Sequence, residues 1–472
     1  MKRRAMLGAA LAASLSPLSG YAAASKESYD VIVVGSGVAG LTAAVSASEN
    51  GAKRVLLIEK NSTIGGHSIL STGYLSAVPE GSPAEAFESM FEGMQKLAHG
   101  RGNVALRRIM VRESGSALKW LTDMGLTWEQ DVYQTLAGLA PRSYISSTVR
   151  AGYDYVVTLN KTARRLGVHT LFETRADRLV TDKSARVCAL EAVGSDGRRA
   201  TFSTKAVVLA TGGFGGNVKM RMQFDPRLNA SFPTTADPNF DGTDSAQGDG
   251  IEMGQALGAG VVDMDCIQIL PFWGGRLTDY VGADIYLDSN GRRFVNEGSS
   301  WKEISDKIYE LPGKTCWVVT DSQSRQGAHR SVKIMFGVVR SAGSIEEMAQ
   351  GMGVDPATLA QTLERYNKFA AAGNDADFGK TMFTQQINKP PYYYGQERLY
   401  VHYCCGGLAI DEFARVLRTD GTPIEGLFAA GEVTGGIHGR DRLGGCSITD
   451  CLVFGRIAGR CAAGLAAAPE SA

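Results

Sequence analysis

Tyr29-Asp30-Val31-Ile32-Val33-Val34 is an almost unbroken apolar run, the pattern of a parallel strand buried on both faces. Gly35-Ser36-Gly37-Val38-Ala39-Gly40 follows without a gap, then a helical stretch from Leu41 to Glu49, then a second apolar run, Arg54-Val55-Leu56-Leu57-Ile58-Glu59. The order is strand, glycine-rich turn, helix, strand. Runs of the same kind recur at Ala206-Val207-Val208-Leu209-Ala210, before Thr211-Gly212-Gly213, and at Gly426-Leu427-Phe428-Ala429-Ala430, before Gly431-Glu432. Strands of one type at both ends of the chain predict an α/β sheet domain interrupted by an insert, from roughly Val261 to Leu399.

Upstream of the first strand the pattern changes. Lys2, Arg3 and Arg4 precede an apolar stretch from Ala5 to Leu18, and Ala22-Ala23-Ala24 offers a small-residue cleavage site. Together they predict a secretory signal over residues 1–24. Ser14, Ser16 and Pro17 break the stretch, which is too short for a membrane anchor. Arg3-Arg4 fits twin-arginine export, with Sec export the alternative, and either route leads to a periplasmic protein. No other span is long and apolar enough to cross a bilayer, so no stable membrane insertion is expected. The remaining chain divides into residues 26–260, 261–399 and 400–472.

Charge narrows the partners. Lys+Arg and Asp+Glu both number 49, so no net field draws the chain to nucleic acid or anionic lipid. The eight cysteines show no zinc spacing and no Cys-x-x-Cys-His haem attachment, so no metal site is expected. Most read as buried free thiols.

The glycine turn carries the first chemistry. Gly35 permits the tight turn, Gly37 lets backbone approach a pyrophosphate, and Gly40 lets the helix pack on the sheet. Val38 and Ala39 open that helix, whose N-terminal N–H groups and dipole favour phosphate. Glu59 ends the second strand nineteen positions after Gly40, where a carboxylate accepts hydrogen bonds from a ribose. Lys60, Gly65-Gly66-His67-Ser68 and Thr72-Gly73 follow it, a small-residue stretch suited to lie against a flavin. Ala210-Thr211-Gly212 and Gly431-Glu432 add glycine turns at strand ends, where ligands of such sheets bind. The expected cofactor is FAD rather than NAD.

These residues resemble the flavoprotein family that includes soluble fumarate reductases, urocanate reductases and 3-ketosteroid dehydrogenases. The similarity spans nearly the whole mature chain. It is carried by Gly248-Asp249-Gly250-Ile251, Gly291-Arg292-Arg293-Phe294-Val295-Asn296-Glu297, Gly431 through Gly439, and Arg442-Leu443-Gly444-Gly445. The resemblance implies a Rossmann-like FAD-binding domain interrupted by an α+β capping domain, with substrate between the cap and the flavin. Asp249, Arg442, Gly445, Ser447 and Ile448 join the expected cofactor-binding set. The chain has no haem attachment site, so its electrons are expected from a separate cytochrome c or quinol-linked donor.

At the substrate site the family pattern is kept in part. The resemblance assigns the carboxylate grip to His402 and Arg442, a histidine that donates a hydrogen bond and an always-charged planar fork. The family's catalytic arginine, four residues after the glutamate of the Arg-Phe-Val-Asn-Glu segment, is here Trp301. A second substrate histidine, before a proline, is Leu270 before Pro271, and the relay Glu and Arg are not cleanly present around Thr278 to Gly282. The proton must then come from elsewhere. Lys302, Asp279, Tyr280 and Tyr403 are the candidates, and Tyr403 is preferred because tyrosines act as acids in the related steroid dehydrogenases. Trp301 and Leu270 make the pocket more apolar, which favours an unsaturated monocarboxylate over fumarate. Three alternatives stay open: a dehydrogenase running in the oxidative direction, a thiol/disulfide-linked reductase using Cys404 and Cys405, and a non-catalytic electron-transfer subunit.

Overall fold

The computed structural model describes residues 28–134, 142–149, 151–237, 242, 244–272, 282–324 and 330–467. The signal sequence read over residues 1–24, and the candidate acids Asp279 and Tyr280, lie outside them.

Two sheets organise the chain. The first has the order Arg415–Leu417, Pro423–Ala429, Arg199–Leu209, Ser28–Val34, Val55–Ile58, His169–Leu171. Its central pairings are parallel, with Val33 opposite Leu57 on one side and Val208 on the other. Val31, Ile32, Val33, Leu56, Leu57, Val207 and Val208 are wholly buried, as apolar runs of this kind require. Thr174–Thr181 and Val187–Gly194 extend it as an antiparallel branch on Arg199–Leu209.

Two helices close over this sheet, Val38–Glu49 and Cys446–Ala467. They cross closely because Gly455 and Gly459 carry no side chain. A Cβ at Gly459 would lie 2.3 Å from Ala43 O, and one at Gly455 2.8 Å from Ala39 O. The apolar C-terminal helix therefore packs on the first helix of the chain, which the run of strands alone does not reveal.

The second sheet is antiparallel, in the order Ile267–Phe272, Tyr392–Cys404, Thr315–Thr320, Ile285–Leu287, with Val339–Ala342 also paired to Tyr392–Cys404. Helix Trp301–Glu310 packs on it, started by a capping box in which Ser300 and Glu303 satisfy each other's backbone N–H groups. The boundary drawn from sequence between residues 399 and 400 falls inside the Tyr392–Cys404 strand. That thirteen-residue strand runs through the second sheet and ends with His402 and Tyr403 at the cleft. No helix among the described residues is long and apolar enough to cross a membrane.

Candidate functional site

A long cleft runs past the carboxyl ends of the parallel strands. Gly35 after the first strand, Glu59 after the second, Thr211 after Arg199–Leu209 and Glu432 after Pro423–Ala429 all line it. This is where ligands bind open sheets of this type.

One end of the cleft is a backbone cradle. Gly35 has φ +102°, and a Cβ there would sit 2.3 Å from Ala210 O. A Cβ on Gly40 would fall 1.8 Å from Gly35 O, so any side chain would push the helix off the turn. Gly37 faces Ser68, whose Oγ accepts the Val38 N–H at 3.0 Å. Glu59 Oε2 accepts Ser36 N–H at 3.0 Å and Ser36 Oγ at 2.6 Å, while Oε1 accepts Asn61 N–H at 2.8 Å. Three of its roughly four acceptor positions thus brace the turn, which leaves one for a ligand. The buried Thr211 hydroxyl has no hydrogen-bond partner among the described residues. A cradle that a Cβ would fill, beside an orphaned hydroxyl and a helix N-terminus, fits the phosphates and sugar of FAD.

Of the residues expected at the cofactor, Gly35, Gly37, Val38, Ala39, Glu59, Lys60, Gly66, His67, Ser68, Thr72, Gly73, Thr211, Gly212, Asp249, Glu432, Arg442, Gly445, Ser447 and Ile448 line the cleft. Gly40, Gly65, Ala210 and Gly431 do not. They stand one layer behind: Ala210 O backs Gly35, Gly65 N–H donates to Ser36 O, and Gly431 leaves room for Ala39.

Charged side chains ring the same stretch. Lys60 pairs with Asp249 at 2.5 Å. His67 Nε2 meets Asp244 Oδ1 at 2.6 Å, and Asp244 is fixed further by the Thr234 hydroxyl. Burial opposes charge on His67, but the hydrogen bond and the negative charge of Asp244 outweigh it and raise its pKa. Burial likewise opposes charge on Asp244, and His67 with Thr234 holds its carboxyl below the usual range. Glu432, half-buried beside them and accepting the Cys404 N–H at 2.8 Å, is pushed up by desolvation.

The other end of the cleft lies between the two sheets. Trp301, the adjacent pair His402 and Tyr403, and Arg442, from three parts of the chain, all line it. His402 Nδ1 is 2.9 Å from the Thr235 hydroxyl, and its ring stacks on Phe272. Arg442 is nearly buried, with Nη1 donating to Leu443 O at 3.0 Å and Nη2 to Gln268 Oε1 at 3.1 Å. Its Nε has no hydrogen-bond partner among the described residues. The Tyr403 hydroxyl donates to Asp450 Oδ2 at 3.2 Å and lies 3.5 Å from His438 Nε2. Burial and the charge of Asp450 push its pKa well above the usual phenol. Burial lowers His438 despite Asp450.

Two expectations change here. Leu270 is completely buried and does not line the cleft; it is seated opposite Tyr400 on the neighbouring strand, and Phe272, two residues on, supplies the apolar wall. Lys302 turns its ammonium to Asp306 on the outer side of its helix and is not a cleft residue. Gln268, Thr235, Phe272 and Asp441 were missed. Only Asp441, directly before the Arg442-Leu443-Gly444-Gly445 motif, carried a signal. All eight cysteines are free, and burial pushes the Cys404 and Cys405 thiols well up, away from the thiolate that exchange chemistry needs.

A nucleotide cradle on a parallel sheet, opening into a cleft under a second sheet, defines a flavoprotein oxidoreductase. The chain belongs to the FAD binding domain family, whose model matches residues 30–448. The urocanate reductase of Eggerthella lenta is 36% identical over 93% of this chain and 75% of its own length. The acrylate reductase flavoprotein subunit of Shewanella woodyi is 31% identical over 91% of this chain and 90% of its own. Among solved structures, the open conformation of a flavocytochrome c3 fumarate reductase matches with a TM-score of 0.72 and 30% identity, over 94% of this chain and 79% of that one. This protein is an FAD-dependent reductase of the fumarate, urocanate and acrylate type, an oxidoreductase acting on CH–CH groups.

Proposed function

We propose that this reductase acts on an unsaturated monocarboxylate with an apolar or aromatic tail rather than on fumarate. The carrying observation is Arg442, whose Nε has no hydrogen-bond partner among the described residues, at the end of the cleft that Trp301, Phe272, Tyr286 and Ile304 also line. One guanidinium fork and one histidine hold one carboxylate. A second carboxylate set against the aromatic rings would lose hydration there. Bound FAD supplies hydride chemistry, and the chain's own residues do the rest. Arg442 and His402 grip the carboxylate, Trp301 and Phe272 cover the tail, and both sheets exclude water. Tyr403 gives its phenolic proton to the substrate carbon next to the one that receives hydride. Its raised pKa keeps it protonated at neutral pH, and the Asp450–His438 pair behind it returns the proton. Electrons come from a separate cytochrome c or quinol-linked donor, and the basic, apolar and small-residue pattern of residues 1–24 supports export to the periplasm.

The test is turnover with reduced viologen as donor across fumarate, acrylate, crotonate and cinnamate. A monocarboxylate should be reduced with kcat/KM well above that of fumarate. Fumarate turning over as fast as every monocarboxylate sinks the reading.

A further inference from the structure

Gln268 sits on the Ile267–Phe272 strand of the second sheet, and its side chain hydrogen-bonds Arg442 from that sheet. It holds Arg442 twice. Its Oε1 accepts the Arg442 Nη2 proton at 3.1 Å, and its Nε2 donates to Arg442 O at 3.0 Å. The amide can face only one way, because a guanidinium can only donate and a carbonyl can only accept. That orientation aims the same Nε2 at Asp441 Oδ1, to which it donates a hydrogen bond. Asp441 Oδ2 accepts the Lys302 N–H at 3.2 Å, at the N-terminus of helix Trp301–Glu310. Gln268, Asp441 and Arg442 are all buried.

These bonds form a closed chain. The loop carrying Asp441 and Arg442 leaves the parallel sheet, while Gln268 and the Trp301 helix belong to the antiparallel one. We propose that Gln268 and Asp441 are positioning residues that join the two sheets across the cleft, so that Arg442 takes its carboxylate-binding orientation only when the second sheet is seated. The carboxylate of Asp441 does two things in this arrangement. It fixes the amide that fixes Arg442, and it anchors the helix start that brings Trp301 to the same cleft. Substrate grip and cleft closure are thereby one event.

The role of Arg442 as carboxylate grip rests on the function proposed above, and the experiment separates the two ideas. Gln268→Leu keeps the volume and removes all three bonds; Gln268→Glu keeps one acceptor for Arg442 and loses the donors. For turnover with the best unsaturated monocarboxylate, Gln268→Leu should raise KM and the Kd of the saturated product roughly ten- to hundredfold, the equivalent of losing hydrogen bonds to a charged group. Its kcat should change less than about threefold, because the reacting groups stay in place. Asp441→Asn, which turns an acceptor at Oδ1 or Oδ2 into a donor, should raise KM in the same direction. The second readout is amide hydrogen exchange of the FAD-loaded protein without substrate. Lys302 and residues 441–445 should exchange faster in Gln268→Leu and Asp441→Asn than in wild type, with the parallel sheet unchanged. Unchanged exchange at those sites overturns the latch whatever the substrate is. Faster exchange with an unchanged KM also overturns it, since the bonds then do not position Arg442. If wild type turns over no carboxylate while exchange responds as stated, the proposed substrate class fails and the latch between the sheets stands.

Discussion

Arg442 lies across the ring of Tyr403, with its Cζ 4.9 Å from the ring centroid. Ring and hydroxyl of Tyr403 therefore serve different partners, the ring supporting a cation and the hydroxyl bonded to Asp450 at 3.2 Å. Substitutions can separate them. Tyr403→Phe keeps the ring under Arg442 and should bind carboxylates almost normally, while reduction falls by on the order of 10²–10⁴, the usual loss of a general acid. Tyr403→Leu should lose binding as well. Full reduction by the phenylalanine variant would remove Tyr403 as proton donor.

Trp301 heads its helix at the position where the family pattern has arginine, and it lines the cleft. Trp301→Arg should raise fumarate turnover relative to the best monocarboxylate, measured as the ratio of the two kcat/KM values. Arg442→Ala should cost far more than Arg442→Lys, and equal losses would mean that the charge is not used.

Gly37 has no side chain where the cradle opens, and a Cβ there would already stand 3.3 Å from Ser68 Oγ. Gly37→Leu should fold and be colourless, with the flavin absorbance of the purified wild-type protein absent. Gly35→Ala should instead lower the melting temperature, because its Cβ meets Ala210 O at 2.3 Å with φ at +102°.

The His67–Asp244 pair sets a pH dependence. His67 has its folded pKa above its ordinary 6.5, so its contribution to stability is complete below 6.5 and is lost as pH rises through the raised value. Asp244 has its folded pKa below its ordinary 3.8, so its contribution is present above 3.8 and is lost as pH falls through the lowered value. The fall in melting temperature caused by His67→Asn should therefore be largest between those ordinary values and shrink on the alkaline side. A pH-independent difference would show that the pair is not charged.

Because Asp244 engages His67 Nε2 at 2.6 Å, the histidine should act as a hydrogen-bonded cation and not as a covalent flavin anchor. Acid precipitation should release all flavin to the supernatant. Flavin kept in the pellet, and lost from it in His67→Asn, would show a bond.

Much of this protein was legible from residues 28 to 60 and the later glycine turns. A tight turn, a close backbone approach and a buried parallel strand each demand particular residue types at adjacent positions, so Gly35, Gly37, Gly40 and Val31 to Val34 announce their roles locally. The family pattern extended this to His402, Arg442 and the altered position at Trp301. Leu270 was misplaced because burial and cleft exposure look identical in an apolar strand, and only the pairing of Leu270 with Tyr400 separates them. What the tertiary structure alone decided are the neutral and long-range partners. Gln268 lies 173 positions before Asp441, and Tyr403 47 before Asp450. A glutamine in a strand has no preferred neighbour in its own sequence. Its bond to Arg442 exists because two sheets, folded from different parts of the chain, meet at one cleft.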